Sequence, residues 1–455
     1  MRLACCVDFG STYTKAALVD TSTGALLATA SHRTTIDTDV LDGYDACLSS
    51  LEKQHPGAAR AEVLACSSAG GGLRIAVIGN EELVTAEAGR RVALSSGGKV
   101  VAVLSRPHRP DAFVELVQTT RPDVVLLTGG TDGGNAQVLL DASRELVASG
   151  WSGPVVVAGN VDTQVQVADV LKDIPHAIAA NVVPKIGVLA PESARRAIRE
   201  MFLAHVIGGK QLSKRADFTA MVRGATPDLV LTGVELLAES AGDVVVVDVG
   251  GATTDVHSVV ELVSEDTTTG SGPGLSREVV ATTPVTRTVE GDLGMRWSAV
   301  TTADAAIEAG LADEALRAHA VRRQADPAFL PATADDEQVD QQLATAAVVL
   351  AVRRHVGRSQ VVIGPDGRIV ERTGKDLREV DVLIGSGGVL RNNRNAIAIL
   401  EAATGPTTEG WQQPEHPLIV IDRNHVLAAA GLLKDRYPEA ALVLARSAVA
   451  DQQAH

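Results

Sequence analysis

Residues 244–259 read VVVVDVGGATTDVHSV, and this stretch decides the fold. Four successive valines predict a buried strand that delivers Asp248 to a tight turn. Gly250 and Gly251 carry no Cβ, so backbone N–H groups there can approach an anion closely. Ala252 continues the turn, Thr253 and Thr254 add hydroxyl donors, and Asp255 opens the returning strand. Such a hairpin suits phosphate oxygens and a metal-bound water. A plain strand with a glycine turn is the other reading.

The N-terminus carries a second copy. Residues 3–19, LACCVDFGSTYTKAALV, again end an apolar strand in an aspartate, Asp8. Gly10, Ser11 and Thr12 follow, then Lys15 within the next apolar strand. Two such hairpins far apart in the chain predict two similar half-domains facing one nucleotide.

The 455 residues suffice for about two to four domains. A net charge of -15 argues against nucleic acid as the main partner, because a phosphate backbone wants a basic surface. Only 2% of residues are aromatic, so a base-stacking platform is not expected either. Cys5, Cys6, Cys47 and Cys66 form no CxxC pair and read as small buried thiols in a reducing compartment. No apolar run reaches the ~18 residues of a membrane helix. The chain starts directly with a strand, without a signal peptide, and the expected location is the cytoplasm.

Residues 3–9, 14–20 and 25–32 predict a three-stranded meander, 40–54 a helix, and 62–66 a strand ending in SSAGGG. Residues 74–78 and 81–94 predict a strand and a helix. Strands at 100–104, 123–129, 154–160 and 177–183 then alternate with helices near 111–120, 135–148 and 163–173. That alternation implies a parallel sheet. Its loop TGGTDGGN, 128–135, is neither GxGxxG nor GxxxxGK[ST]. It is either an anion-binding turn or a tight turn in which Asp132 or Asn135 caps the helix. Further helices are expected at 191–207 and 226–240, a loop at 267–274, a strand at 279–289, a solvated helical region at 303–340 and a helix at 342–356. A hairpin is expected at 360–372. Two stretches complete the pattern. VDVLIGSGGVLRNNRN, 380–395, is a strand ending in Gly385, Ser386, Gly387 and Gly388, where a flat ring could lie against backbone. LIVIDRNHVLAAAGLLKD, 418–435, is a strand, an Asp422 or Asn424 cap, and a small-residue helix that another helix could approach closely.

These stretches occur in the order found in the actin-like ATPase superfamily, which includes actin, the seventy-kilodalton heat-shock chaperones and sugar kinases. DFGSTYTKA resembles the first phosphate motif, DVGGATTDV the second, and LIGSGGVL the adenosine motif. The helices at 226–240 and 424–436 resemble the two connecting helices. The resemblance implies an α/β actin-like ATPase fold with two similar ribonuclease-H-like half-domains around a nucleotide cleft. The first half-domain would comprise 1–95 and 191–242, an α/β insert 96–190, and the second half 243–455, with a helical/β subdomain at about 265–375. It implies Mg·ATP or ADP as ligand, with Asp8 and Asp248 holding metal-bound waters and Lys15 neutralising phosphate charge. Gly10–Thr12 and Gly250–Thr253 would donate to the phosphates, beside Asp255, and Gly385–Gly388 would line the adenosine.

TGGTDGGN, the insert and DFGSTYTK together resemble the glutamate (methylaspartate) mutase accessory family, sometimes called MutL and unrelated to the mismatch-repair protein of that name. That resemblance implies an ATP-driven chaperone or reactivating factor for an adenosylcobalamin-dependent mutase, with slow ATP turnover and no membrane or nucleic-acid partner. A small-molecule kinase, with Asp255 or Asp132 as base, and a filament-forming actin relative are the alternatives. One position departs from the chaperones, which carry a glutamate before the proline of the first connecting helix. Here it is Thr226. A hydroxyl is no general base at neutral pH, which implies slow hydrolysis or the use of another carboxylate.

Overall fold

The structure is a computed structural model that describes residues 2–105, 111–261, 283–364 and 367–450, the side chains of 360–372 aside. The loop expected at 267–274 lies outside these residues. So does the start of the strand expected at 279–289. The chain divides into two compact units, one running to Gly233 and rejoined by Ala428–Leu444, the other starting at Val234 and including Pro284–Leu427.

The strands of the first unit are Leu3–Phe9 (β1), Tyr13–Asp20 (β2), Ala25–Arg33 (β3), Glu62–Ser67 (β4), Leu73–Ile78 (β5), Gly98–Leu104 (β6), Val124–Leu127 (β7), Val155–Val157 (β8), His176–Ile178 (β9) and Val222–Ala225 (β10). They build two sheets. The first has the order β10-β4-β1-β2-β3. β1, β2 and β3 are the antiparallel meander read from the sequence, and β4 and β10 join it in parallel. The second, β6-β5-β7-β8-β9, is parallel throughout. β5 sits inside this second sheet, which therefore begins at Leu73. Its inner strands are apolar and buried, β5 from Ile75 on and β7 and β8 throughout, because both faces are covered, while the edge strands β6 and β9 stay partly exposed. Ile75, Val77, Val124 and Leu126 join the core shared with β1, while Ala76, Ile78, Val125 and Leu127 face a separate core with Leu139 and Leu146.

In the second unit the strands are Val244–Val249 (β11), Thr254–Val259 (β12), Val285–Glu290 (β13), Arg358–Gly364 (β14), Gly367–Thr373 (β15), Val382–Ser386 (β16) and Leu418–Ile421 (β17). β14 and β15 pair as the expected hairpin. The others form β13-β12-β11-β16-β17, with β11, β12 and β13 antiparallel and β16 and β17 parallel to β11. This repeats the topology of the first sheet strand for strand. Two ribonuclease-H-like sheets of this order in one α/β chain make the fold actin-like, as the motifs imply.

The helix expected at 342–356 starts earlier, at Ala334, and runs to His355. The Thr333 side chain accepts the Asp336 N–H at its N-terminus, and Asp335, Asp336 and Glu337 suit the first turn electrostatically. Residues 303–340 are not purely a solvated surface. Arg323 is fully buried, and its Nε donates to Asp340 at 2.5 Å. Within the first unit, Leu229 of the Thr226–Ala241 helix and Gly431 of the Val426–Leu433 helix approach so closely that a Cβ on Gly431 would stand 1.9 Å from the Leu229 carbonyl oxygen. Small residues at 428–431 permit that approach.

Candidate functional site

Each site begins where a buried strand runs out. β1 places Asp8 opposite Lys15 on β2 and beside Cys66 on β4. β11 places Asp248 opposite Asp255 on β12 and beside Ser386 on β16. The two registers are the same, so the hairpins correspond residue by residue. The turns match as well. The Gly10 N–H donates to the Tyr13 carbonyl at 3.2 Å, and the Gly250 N–H to the Thr253 carbonyl at 2.9 Å. A Cβ at Gly10 would lie 2.6 Å from the Tyr13 oxygen, and one at Gly250 2.9 Å from the Thr253 oxygen. Both turns therefore require glycine. Thr14 and Thr254, the corresponding residues behind them, are fully buried.

In both turns the next two N–H groups stay open. Those of Ser11 and Thr12, and of Gly251 and Ala252, make no hydrogen bond among the described residues. In the second turn the carbonyls are held instead. Gly250 accepts from Met295 N–H, Gly251 from Arg296 and Trp297, and Ala252 from the Ser298 hydroxyl at 2.6 Å. Fixed carbonyls leave adjacent N–H groups presented together, the arrangement that binds anions.

Asp8 is 9% exposed and accepts the Thr226 hydroxyl on Oδ1 at 2.6 Å. The Cys66 thiol reaches the same oxygen at 3.7 Å, and Lys15 Nζ stands 3.5 Å from Oδ2. Burial, with the Asp8 charge second, pushes the Cys66 thiol well above its ordinary range. Thr226 thus does more than vacate a glutamate position, because its hydroxyl holds Asp8. The Ser11 hydroxyl donates to the Ser68 carbonyl at 3.2 Å, which ties the first turn to the SSAGGG loop.

In the second unit Asp255 is engaged. It pairs with Arg287, which is 4% exposed, and accepts the Thr253 hydroxyl at 3.0 Å. Arg287 faces His257 across the β12–β13 ladder and reaches Asp255 on the diagonal. Asp248 lies against Gly387, where φ is 96° and a Cβ would meet Asp248 Oδ1 at 2.8 Å and the Val249 carbonyl oxygen at 2.2 Å. The four residues 385–388 divide. Gly385 packs into the core against Leu390, Leu400 and Ile421, Ser386 is buried, Gly387 backs Asp248, and Gly388 has open space. Arg391, which the motif reading passed over, follows at once. Burial lowers its pKa, while Asp422 and Asp248 pull it back up. Its Nε donates to the Arg423 carbonyl at 2.6 Å. Asp422 caps the Val426–Leu433 helix, accepting from Val426 N–H at 3.0 Å.

In the loop 128–135, Asn135 caps by accepting Gln137 N–H at 3.1 Å. Asp132 instead accepts Asn181 Nδ2 at 2.8 Å and Val161 N–H at 3.2 Å. Among the described residues no cluster of three or more His, Cys, Asp or Glu could hold a metal, and no helix is long and apolar enough to cross a membrane. A lone carboxylate, as at Asp8 or at Asp248, fits a cation that keeps its waters and takes few protein ligands.

The model of a protein family described as MutL protein matches residues 4–449. The chain is 36% identical to a curated Protein MutL from Clostridium tetanomorphum over 453 residues, covering 96% of each chain. Among solved structures it is similar to nucleotide-free acetone carboxylase, at a TM-score of 0.42 and 16% identity over 95% of this chain and 70% of that one. It is also similar to the ethanolamine utilization protein EutJ from Carboxydothermus hydrogenoformans, at a TM-score of 0.30 and 10% identity over 98% and 90%. Likenesses this distant constrain no chemistry.

Proposed function

The chain belongs to the MutL protein family, and from that premise we propose that it is an ATP-binding accessory factor, a chaperone or reactivase, for an adenosylcobalamin-dependent glutamate (methylaspartate) mutase or a related mutase. One observation carries the nucleotide part. Two hairpins of identical register each set a carboxylate, Asp8 or Asp248, beside a glycine turn with two open N–H groups. In this reading the open N–H groups of Ser11, Thr12, Gly251 and Ala252 grip phosphate oxygens, while those of Gly10 and Gly250 are used within their turns. Lys15 would neutralise phosphate charge, and Asp8 and Asp248 would each hold waters of a magnesium ion, whose charge would ease attack on the phosphate. Asp255 and Arg287 hold the Thr253 hydroxyl in place, and residues 386–388 border the adenosine. Turnover is slow, because Thr226 offers no base and its hydroxyl is committed to Asp8.

A small-molecule kinase is the weaker reading. Both carboxylates available as its base are engaged, Asp255 by Arg287 and Asp132 by Asn181. Incubation with Mg·ATP and pooled metabolites, without protein client, yields no phosphorylated product if the accessory reading is right. The client part is tested by calorimetric Mg·ATP titrations with and without an adenosylcobalamin-dependent glutamate mutase. Coupling between nucleotide and client is reciprocal, so the ATP affinity must change when the mutase is present. Equal affinities, with no complex in either nucleotide state, remove the mutase from the account. We assign client recognition to the α/β insert on fold-level analogy.

A further inference from the structure

The glycine-rich loop 128–135 is not used by the hairpin chemistry, yet it stands at a distinctive point. In the order β6-β5-β7-β8-β9 the chain steps from β5 to one neighbour, then crosses to the other side and continues outward. The reversal falls between β5 and β7. In open parallel sheets the loops leaving the two strands at such a reversal diverge, and ligands bind in the crevice beyond the strands' carboxyl ends. Here those loops are 79–81 and 128–135.

What lines them is a set of buried donors without acceptors. Gly129 and Gly130 are buried, with φ of 146° and 68°. A Cβ on Gly129 would lie 3.7 Å from Asn80 Cβ, and one on Gly130 3.3 Å from Asn160 Cβ. An asparagine thus flanks each glycine. The N–H groups of Gly129 and Gly130 make no hydrogen bond among the described residues. Asn160 is fully buried. Its Oδ1 accepts the Asp162 N–H at 2.9 Å, but its Nδ2 has no partner. Buried orphan donors are rare, and several on adjoining loops ask for an acceptor. The nearby carboxylates do not supply it. Asp132 accepts from Asn181 and Val161, and Asp162 accepts the Gly133 N–H at 3.0 Å.

We propose that loop 128–135, with loop 79–81 on one side and the loop after β8 that carries Asn160 on the other, binds an oxyanion, the phosphate or carboxylate of a small molecule, with Gly129 N–H, Gly130 N–H and Asn160 Nδ2 as donors. The site is separate from the two aspartate hairpins and does not depend on their binding ATP. Hydrogen-exchange mass spectrometry of the full chain tests it, with inorganic phosphate and acetate as probes and chloride at matched ionic strength as control. The expected result is oxyanion-dependent protection of peptides covering 128–136 and 158–163. A phosphate-only response points to a phosphorylated ligand, and an acetate response to a carboxylate. Asn160→Asp keeps the volume and the oxygen that accepts the Asp162 N–H but replaces the donor with a charged oxygen, and weakens half-saturation about tenfold or more. Asn80→Asp, at a partly exposed position that leaves the core intact, places a negative charge beside Gly129 and abolishes the protection. The proposal fails if no oxyanion protects these peptides, if only the peptides of the aspartate hairpins respond, or if protection survives Asn80→Asp unchanged.

Discussion

Gly431→Ala is a single-methyl test of the close approach between Gly431 and Leu229. The added Cβ would stand 1.9 Å from the Leu229 carbonyl oxygen and 2.8 Å from its carbon. The obstacle is backbone in the Thr226–Ala241 helix, so no rotamer change relieves it. The two helices must separate by about an ångström, which forfeits much of the dispersion contact along the crossing. Overpacking of this kind costs about 1–3 kcal/mol, and a rigid backbone obstacle puts this site at the upper end. Alanine returns about 1 kcal/mol through its helix propensity. The net expectation is a loss of about 2 kcal/mol, read as a lower urea midpoint by circular dichroism. Gly208→Ala is the control, because no atom lies within 4 Å of the added carbon, and it should be neutral or stabilising. If Gly431→Ala matches that control, the helices do not cross at this glycine and the close approach is wrong.

Three further outcomes follow from the same geometry. All four thiols are buried, with Cys5 pushed up to about 12 and Cys47 to about 11 by burial, so a thiol reagent should label none of them in the native protein and all after denaturation. His257 and His355 are buried with pKa values well below 6.5, burial being the main cause, with Arg287 acting on His257 and Lys375 on His355. The unfolded chain takes up their protons below about 6.5 and the folded chain does not. Their contribution to stability is therefore complete above that pH and falls by up to about 1.4 kcal/mol per unit per group below it. A urea midpoint unchanged between about pH 7.5 and 5.5, or unaltered in its pH response by His355→Gln, contradicts this. Thr226→Val removes the 2.6 Å hydroxyl bond to Asp8 and should cost about 1.5–3 kcal/mol in urea unfolding, while Thr226→Ser keeps most of it.

The local parts of this fold were legible because they are written locally. An apolar run, an aspartate and a glycine within a few residues define each hairpin, and β1, β2 and β11 appear where that pattern places them. The strands of the parallel sheet were visible too, as continuous runs of Val, Ile and Leu. Their order was not, because nothing within Leu73–Ile78 tells that β5 pairs with both β6 and β7. The site follows the same division. Asp8, Gly10, Asp248 and Gly250 carry their own signal. The bond from Thr226 to Asp8 spans 218 positions, and the one from Arg287 to Asp255 spans 32, so both exist only once the sheets form. Thr226 departs from the chaperone pattern, but its bond to Asp8 leaves no trace in the sequence. The early start of the 334–355 helix had a signal in Thr333 and the acidic residues after it, which the apolar periodicity further along outweighed.

The proposal that each aspartate hairpin takes part in nucleotide binding is tested most directly by calorimetric titration of Mg·ATP into the wild type, Asp8→Asn and Asp248→Asn. Each substitution keeps the side-chain volume and removes a charge that would hold a metal-bound water. The account predicts one ATP per chain in the wild type and an affinity at least about tenfold weaker in either variant, equivalent to the ~1.4 kcal/mol or more of a charged hydrogen bond. Wild-type affinity in both variants, or no ATP binding by the unaltered chain, would contradict it.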